Sequence, residues 1–62
     1  MLVKENIKVG SMIQRFNIEY VLILKISSIN DHSMIYDALI LPSKKVVYHD
    51  LVSMFHYWEQ VV

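Results

Sequence analysis

The stretch Tyr20-Val21-Leu22-Ile23-Leu24-Lys25-Ile26 constrains this chain more than any other. Seven residues, six of them β-branched, aromatic or leucine, have the length and content of a strand. A bilayer-crossing helix needs about 20 apolar residues, so the run is too short to span a membrane. A lone strand leaves its backbone donors and acceptors unpaired, so the segment demands neighbours on both sides. Read with a period of two, Tyr20, Leu22, Leu24 and Ile26 make one wholly apolar face. The other face runs Val21, Ile23, Lys25, Ser27 and turns from apolar to polar. The even positions are therefore expected inside. The odd face is expected to be covered at one end only.

The neighbours are legible. Gly10 and Ser11 punctuate an early turn before Met12-Ile13-Gln14-Arg15-Phe16, and Asn17 to Glu19 is a polar break. Ser28-Ile29-Asn30-Asp31-His32-Ser33 carries Asn-Asp turn chemistry. The next strand is Met34 to Leu41, with Met34, Tyr36, Ala38 and Ile40 on one face and Ile35, Asp37, Leu39 and Leu41 on the other. Pro42-Ser43-Lys44-Lys45 makes a turn, because proline ends central strands. Val46 to His49 follows as a short strand. Short polar connections between strands imply an antiparallel meander. Beyond Asp50 two patterns compete. Leu51, Met54, Phe55 and Trp58 fall at helical spacing with Asp50 as a possible N-cap, whereas residues 57–62 are rich in strand formers. The expectation is one helical turn at about 50–55 and a closing strand from about 57; a single helix over 51–60 is the alternative.

Sixty-two residues make one domain without internal repeats or linkers. A chain this short buries only about 60% of the surface its unfolded form exposes, and small domains commonly add disulfides, a metal or oligomerisation. Cysteine is absent, which removes disulfides and thiolate metal sites, while apolar residues reach 55%. That surplus places some apolar side chains on the surface, where contiguous patches mark interaction sites. Six basic and six acidic residues cancel. A nucleic-acid binder needs a basic stripe, and the only basic pair, Lys44-Lys45, sits in a turn. Residues 1–6 lack the basic start and apolar stretch of a signal peptide, so the expected location is the cytosol of the cell that makes the protein.

Candidate chemistry is sparse. His32, His49 and His56 invite a metal reading, with Asp31-His32 and His49-Asp50 as adjacent acid–imidazole pairs. Sequence neighbours on a strand point to opposite faces and do not converge, and no four-ligand spacing is present. No metal or cofactor is expected. With one glycine there is no phosphate-cradling loop or nucleophile elbow, and nothing brings Asp31, Asp37, Asp50 and Glu59 together in pairs. The chain is expected not to be an enzyme. Tyr20, Tyr36 and Tyr48 are expected in the core. Tyr57 and Trp58 are adjacent and would face opposite ways in a strand, so one of them should be exposed as an interface anchor. Val21, Ile23 and Ile35 of the odd face, with Tyr57 and Trp58, are the candidate interaction residues. Met12–Phe16 and Tyr57–Val62 are the expected sheet edges for pairing with a partner strand.

The order of pieces resembles small SH3-like barrels, particularly those encoded by tailed bacteriophages. Ile7-Lys8-Val9-Gly10-Ser11-Met12-Ile13 looks like their first strand, and Tyr20 to Ile26 like their second. Tyr36-Asp37-Ala38-Leu39-Ile40, a turn, Val46-Val47-Tyr48, a helical turn and Trp58-Glu59-Gln60-Val61 match the remainder. The resemblance runs from about Ile7 onward. It implies an all-β, SH3-like barrel of about five antiparallel strands. For function it implies a non-enzymatic virion component (decoration, adaptor or stabilising subunit) that binds larger subunits of an assembly or itself, located in the virion if phage-encoded. A nucleic-acid-binding or regulatory barrel and a host-directed inhibitor are the alternatives.

Overall fold

Four antiparallel strands form an open sheet in the computed structural model, which describes residues 2–15 and 18–61; the side chains of His56 and Gln60 are outside that description. A 3-10 turn at Lys4–Asn6 precedes strand β1, Met12–Arg15. The entry into β1 is fixed by a turn in which Gly10 takes φ 92°, a region L side chains avoid. Its amide donates to the Ile23 carbonyl (2.8 Å), and the Ile23 amide donates to the Ser11 carbonyl (3.0 Å). Ser11 is buried, and its hydroxyl oxygen accepts the Lys8 amide at 3.0 Å, so the buried polar group is satisfied. Ile7 precedes this turn instead of opening a strand, and its side chain packs into the core. Phe16 and Asn17, expected at the strand end and in the polar break, lie outside the described residues.

Strand β2 spans Glu19–Ile29, β3 Ser33–Leu41 and β4 Lys45–Ser53. The β2–β3 turn is organised by Asn30, whose Oδ1 accepts the amides of His32 (2.9 Å) and Ser33 (2.8 Å). This is the local side chain-to-backbone bonding that makes asparagine a turn residue. The β3–β4 turn begins at Pro42, after a cis Leu41–Pro42 peptide. A second 3-10 turn, Phe55–Tyr57, leads to a two-residue piece, β5 (Glu59–Gln60), on the far side of β1. The sheet order is β4-β3-β2-β1-β5. Strand β1 is therefore paired on both sides and is not an edge, contrary to expectation.

The region after Asp50 resolves against the helical stripe. Strand β4 continues to Ser53, so Asp50 is a strand residue and not an N-cap. Met54 then takes φ 60° and turns the chain. The carbonyl of His32, on the β2–β3 turn, accepts the amides of both Met54 and Phe55 and anchors the start of the 3-10 turn. Phe55 and Trp58 reach the core, while Leu51 and Met54 stay outside.

The expected faces of β2 are inverted over its first half. Val21 and Ile23 are fully buried, whereas Tyr20 and Leu24 are exposed. Along β3 the expected face is the observed one, with Met34, Tyr36, Ala38 and Ile40 all buried. The pairing explains the difference. Ile23 faces Ala38 and Lys25 faces Asp37, so Leu24 is an extra residue; Ile26 faces Tyr36 and Ser28 faces Ile35, so Ser27 is another. Each bulge shifts the inward positions by one. The residues that touch the core are thus Val21, Ile23, Ile26 and Ile29. A third bulge lies in β4, where Asp37 faces both Tyr48 and His49. His49 has φ 50°, and its amide donates to Asp37 Oδ1 at 2.9 Å. Inward positions on β4 therefore pass from Val47 to Val52.

Truncating Ile23 and Leu24 separates the two registers. Ile23→Ala is expected to lower unfolding free energy by about 2–4 kcal/mol through cavity formation. Leu24→Ala, at an exposed bulge, should cost less than about 1 kcal/mol. Urea unfolding followed by circular dichroism checks both; equal losses would contradict the observed faces.

Candidate interaction surface

The sheet side turned away from the core carries apolar residues at most of its positions, interspersed with Gln14, Lys25, Ser28 and Asp37. Strand pairing places Met12, Leu22, Leu39 and Val46 in one row across four strands. A second row carries Tyr20 beside Leu41, and a third carries Ile35 beside Leu51. Leu24 and Tyr48 stand out between these rows, flanking the pair Lys25 and Asp37. Met12, Leu22, Ile35, Leu39 and Leu41 are half-buried by their neighbours, and Tyr20, Leu24, Val46, Tyr48 and Leu51 are exposed. Aromatic and branched side chains adjacent across strands support one another and the sheet. An antiparallel sheet with one solvated face normally alternates apolar inside with polar outside. Here the outer face departs from that pattern over the row Met12–Leu22–Leu39–Val46 and its neighbours, while Gln14, Lys25 and Asp37 keep it polar elsewhere.

Of the five residues expected at an interface, the structure puts only Ile35 on this face. Val21 and Ile23 lie on the opposite side at 0% exposure and have no surface to offer. Their expected place is taken by Leu22, Leu24 and the outward residues of β3 and β4. Tyr20 and Tyr48 belong to the outer face as well; of the three tyrosines assigned to the core, only Tyr36 is there. The signal for Leu39 and Leu41 was present, because they alternate with a fully apolar inner set on β3.

Tyr57 and Trp58 meet at a different place. Tyr57 is 74% exposed and Trp58 8%, although the two sit at the end of the 3-10 turn and not in a strand. Both line a cleft of about 530 Å³ shared with Gln14, Val52, Ser53, Met54 and Glu59. Glu59 faces Gln14 in the β1–β5 pairing, which closes one wall. Trp58 is held from two sides. Tyr36 packs edge-on against it, ring centroids 6.4 Å apart at 90°, and the Arg15 guanidinium lies 5.7 Å from its ring centroid. Edge-to-face rings and cation–π contacts each favour this arrangement. Arg15 Nε also donates to Glu19 Oε1 at 3.3 Å. Sequence spacing gives no sign that Gln14, from β1, joins Val52, Ser53 and Met54, from the end of β4, in this cleft.

The Tyr36 hydroxyl donates to Asp50 Oδ2 at 2.9 Å and ties β3 to β4 beneath Trp58. Burial raises the Tyr36 pKa far above its ordinary 10.0; the Asp50 hydrogen bond and negative charge add to this, and Arg15 opposes it. Among the described residues the histidines form no cluster with acidic groups. His32 lies in the β2–β3 turn and His49 at the β4 bulge; the His56 side chain is outside the description. No group of three or more His, Asp or Glu suited to a metal ion occurs among the described residues.

Because Tyr36 is favoured neutral in the folded state, its contribution to stability is complete below pH 10 and is lost as pH rises beyond it. Tyr36→Phe is expected to remove about 1.5–3 kcal/mol at neutral pH, the usual worth of a hydrogen bond to a charged group. It should also flatten the alkaline decline in stability between about pH 10 and 12. Urea midpoints across that range check the slope; an unchanged decline in the variant would assign it to other groups. No family model, curated protein or solved structure matches the chain.

Proposed function

We propose that this chain is a non-enzymatic interaction subunit that attaches to larger subunits of an assembly through the outer face of its sheet. The row Met12–Leu22–Leu39–Val46 carries the reading. Four apolar side chains in line across four strands, continued by Tyr20, Leu41 and Leu24, make a contiguous patch of the kind that marks a contact surface. A 62-residue chain that could have placed serine, threonine or lysine at those positions instead keeps leucine, valine and methionine. Zero formal charge leaves apolar contact as the main driving force for association.

The finer architecture we infer is an SH3-like barrel. It is supported by the meander order with β5 next to β1, by the 3-10 turn just before β5, and by the bulged β2. Bulges strengthen twist and let one long strand serve two halves of a curled sheet. The resemblance to small barrels of tailed bacteriophages makes a virion subunit the setting in which this reading applies. Its place there would be as a decoration, adaptor or stabilising part.

Leu24→Lys puts a charge into the patch at an exposed bulge, where the fold has no stake in the side chain. In gradient sedimentation from the cells that make the protein, the wild-type chain should travel with large particles. The folded variant should stay at the top of the gradient. A wild-type chain that stays at the top as a free small protein would overturn the proposal.

A further inference from the structure

We propose that a second copy of this chain pairs with the open edge of β4, antiparallel and on a two-fold axis through Val47. Strand β4 ends the sheet order and, among the described residues, pairs with β3 alone. An edge of nine residues offers unpaired backbone groups to another strand. The sequence of that edge is complementary to itself. With Val47 opposite its own copy, Val46 stands opposite Tyr48 of the second copy, and Tyr48 opposite Val46. Both residues point to the outer face and both are exposed, Tyr48 at 73%. Branched-against-aromatic pairs are among the favourable cross-strand combinations.

The bulge completes the match. His49, with its positive φ, is the extra residue on β4. Skipping it brings Lys45 opposite Asp50 of the second copy. These two belong to the same side of the sheet, since Lys45 faces buried Ile40 and Asp50 faces buried Tyr36 in the β3 pairing. The two-fold axis repeats every contact, giving two Lys45–Asp50 ion pairs that flank two Val46–Tyr48 pairs. A bulge and a lysine on an edge strand ordinarily discourage strand addition. In this register both take part in it. A foreign strand would have to reproduce the acid–base spacing by chance, whereas a second copy carries it, and two chains of zero net charge do not repel. The outer row Met12–Leu22–Leu39–Val46 then runs on across the joint into its symmetry mate. This inference concerns the sheet edge and goes beyond the attachment of the outer face to larger subunits.

Sedimentation equilibrium of the full chain from micromolar to millimolar concentration tests it, with three single variants at exposed positions. Wild type is expected to show a monomer–dimer equilibrium. Lys45→Glu sets like charges opposite each other twice, and Tyr48→Lys removes both aromatic pairs; each should raise the dissociation constant about tenfold or more. Leu24→Lys, on the outer face away from the edge, should leave the dimer intact, so the edge and the face are read separately. Circular dichroism at the lowest concentration confirms that each variant is folded. A chain monomeric at millimolar concentration, a dimer indifferent to Lys45→Glu and Tyr48→Lys, or a dimer lost with Leu24→Lys would each overturn the proposal.

Discussion

Two extra residues in β2, Leu24 and Ser27, decide what is inside this protein. Without them the strand would keep one parity along its length, Ile26 would leave the side that holds Val21 and Ile23, and Lys25 and Ser27 would turn toward the core. With them, four residues of one strand stay on the core while the backbone bends between them. The inner residues of β3 follow strict alternation and supply the other wall. Tyr36 sits where these walls meet. Its ring supports Trp58 edge-on and its hydroxyl holds Asp50, so the β4 end, the 3-10 turn and β5 are all referred to the same buried side chain.

The bulges also have a consequence for the other side of the sheet. A residue pushed out of the ladder cannot contribute to the core, and the protein places leucine at one such position and serine at the other. Leu24 joins a face that already holds Tyr20, Leu22, Leu39 and Val46. Burying each of these on contact with another surface would gain roughly 25 cal/mol for each Å² of apolar area. A domain of this size has little margin from its own core. Much of the apolar surplus in the composition is therefore located on the outer sheet face, around the row Met12–Leu22–Leu39–Val46, with the β4 edge beside it.

Much of this was legible in the sequence, and the failures have identifiable causes. Strand β3 was readable because its period is unbroken from Met34 to Leu41 and ends at proline. Strand β2 is legible, but the faces of its first half come out reversed: the apolar even positions make a longer run than the odd ones, and no residue type announces a bulge at Leu24. The general preference of aromatics for cores points Tyr48 and Tyr20 inward, and an outward apolar face defeats it. The helical stripe after Asp50 arose by coincidence, since Leu51, Phe55 and Trp58 belong to a strand, a 3-10 turn and the segment after it. A left-handed residue at Met54 separates the first from the rest. Of the cleft beside Tyr57, the sequence shows only one exposed aromatic of an adjacent pair; the β1 wall at Gln14 is distant in sequence and is brought there by the pairing with Glu59.

The central claim is that β2 turns its odd positions inward before Leu24 and leaves the leucines outside. Methyl NMR with a soluble paramagnetic reagent, recorded on dilute protein, tests this most directly. The account predicts strong attenuation for the methyls of Leu24, Val46 and Leu51 and almost none for Ile13, Val21 and Ile23. Attenuation of Val21 and Ile23 with protection of Leu24 would mean an unbulged strand and an opposite core, and would contradict it.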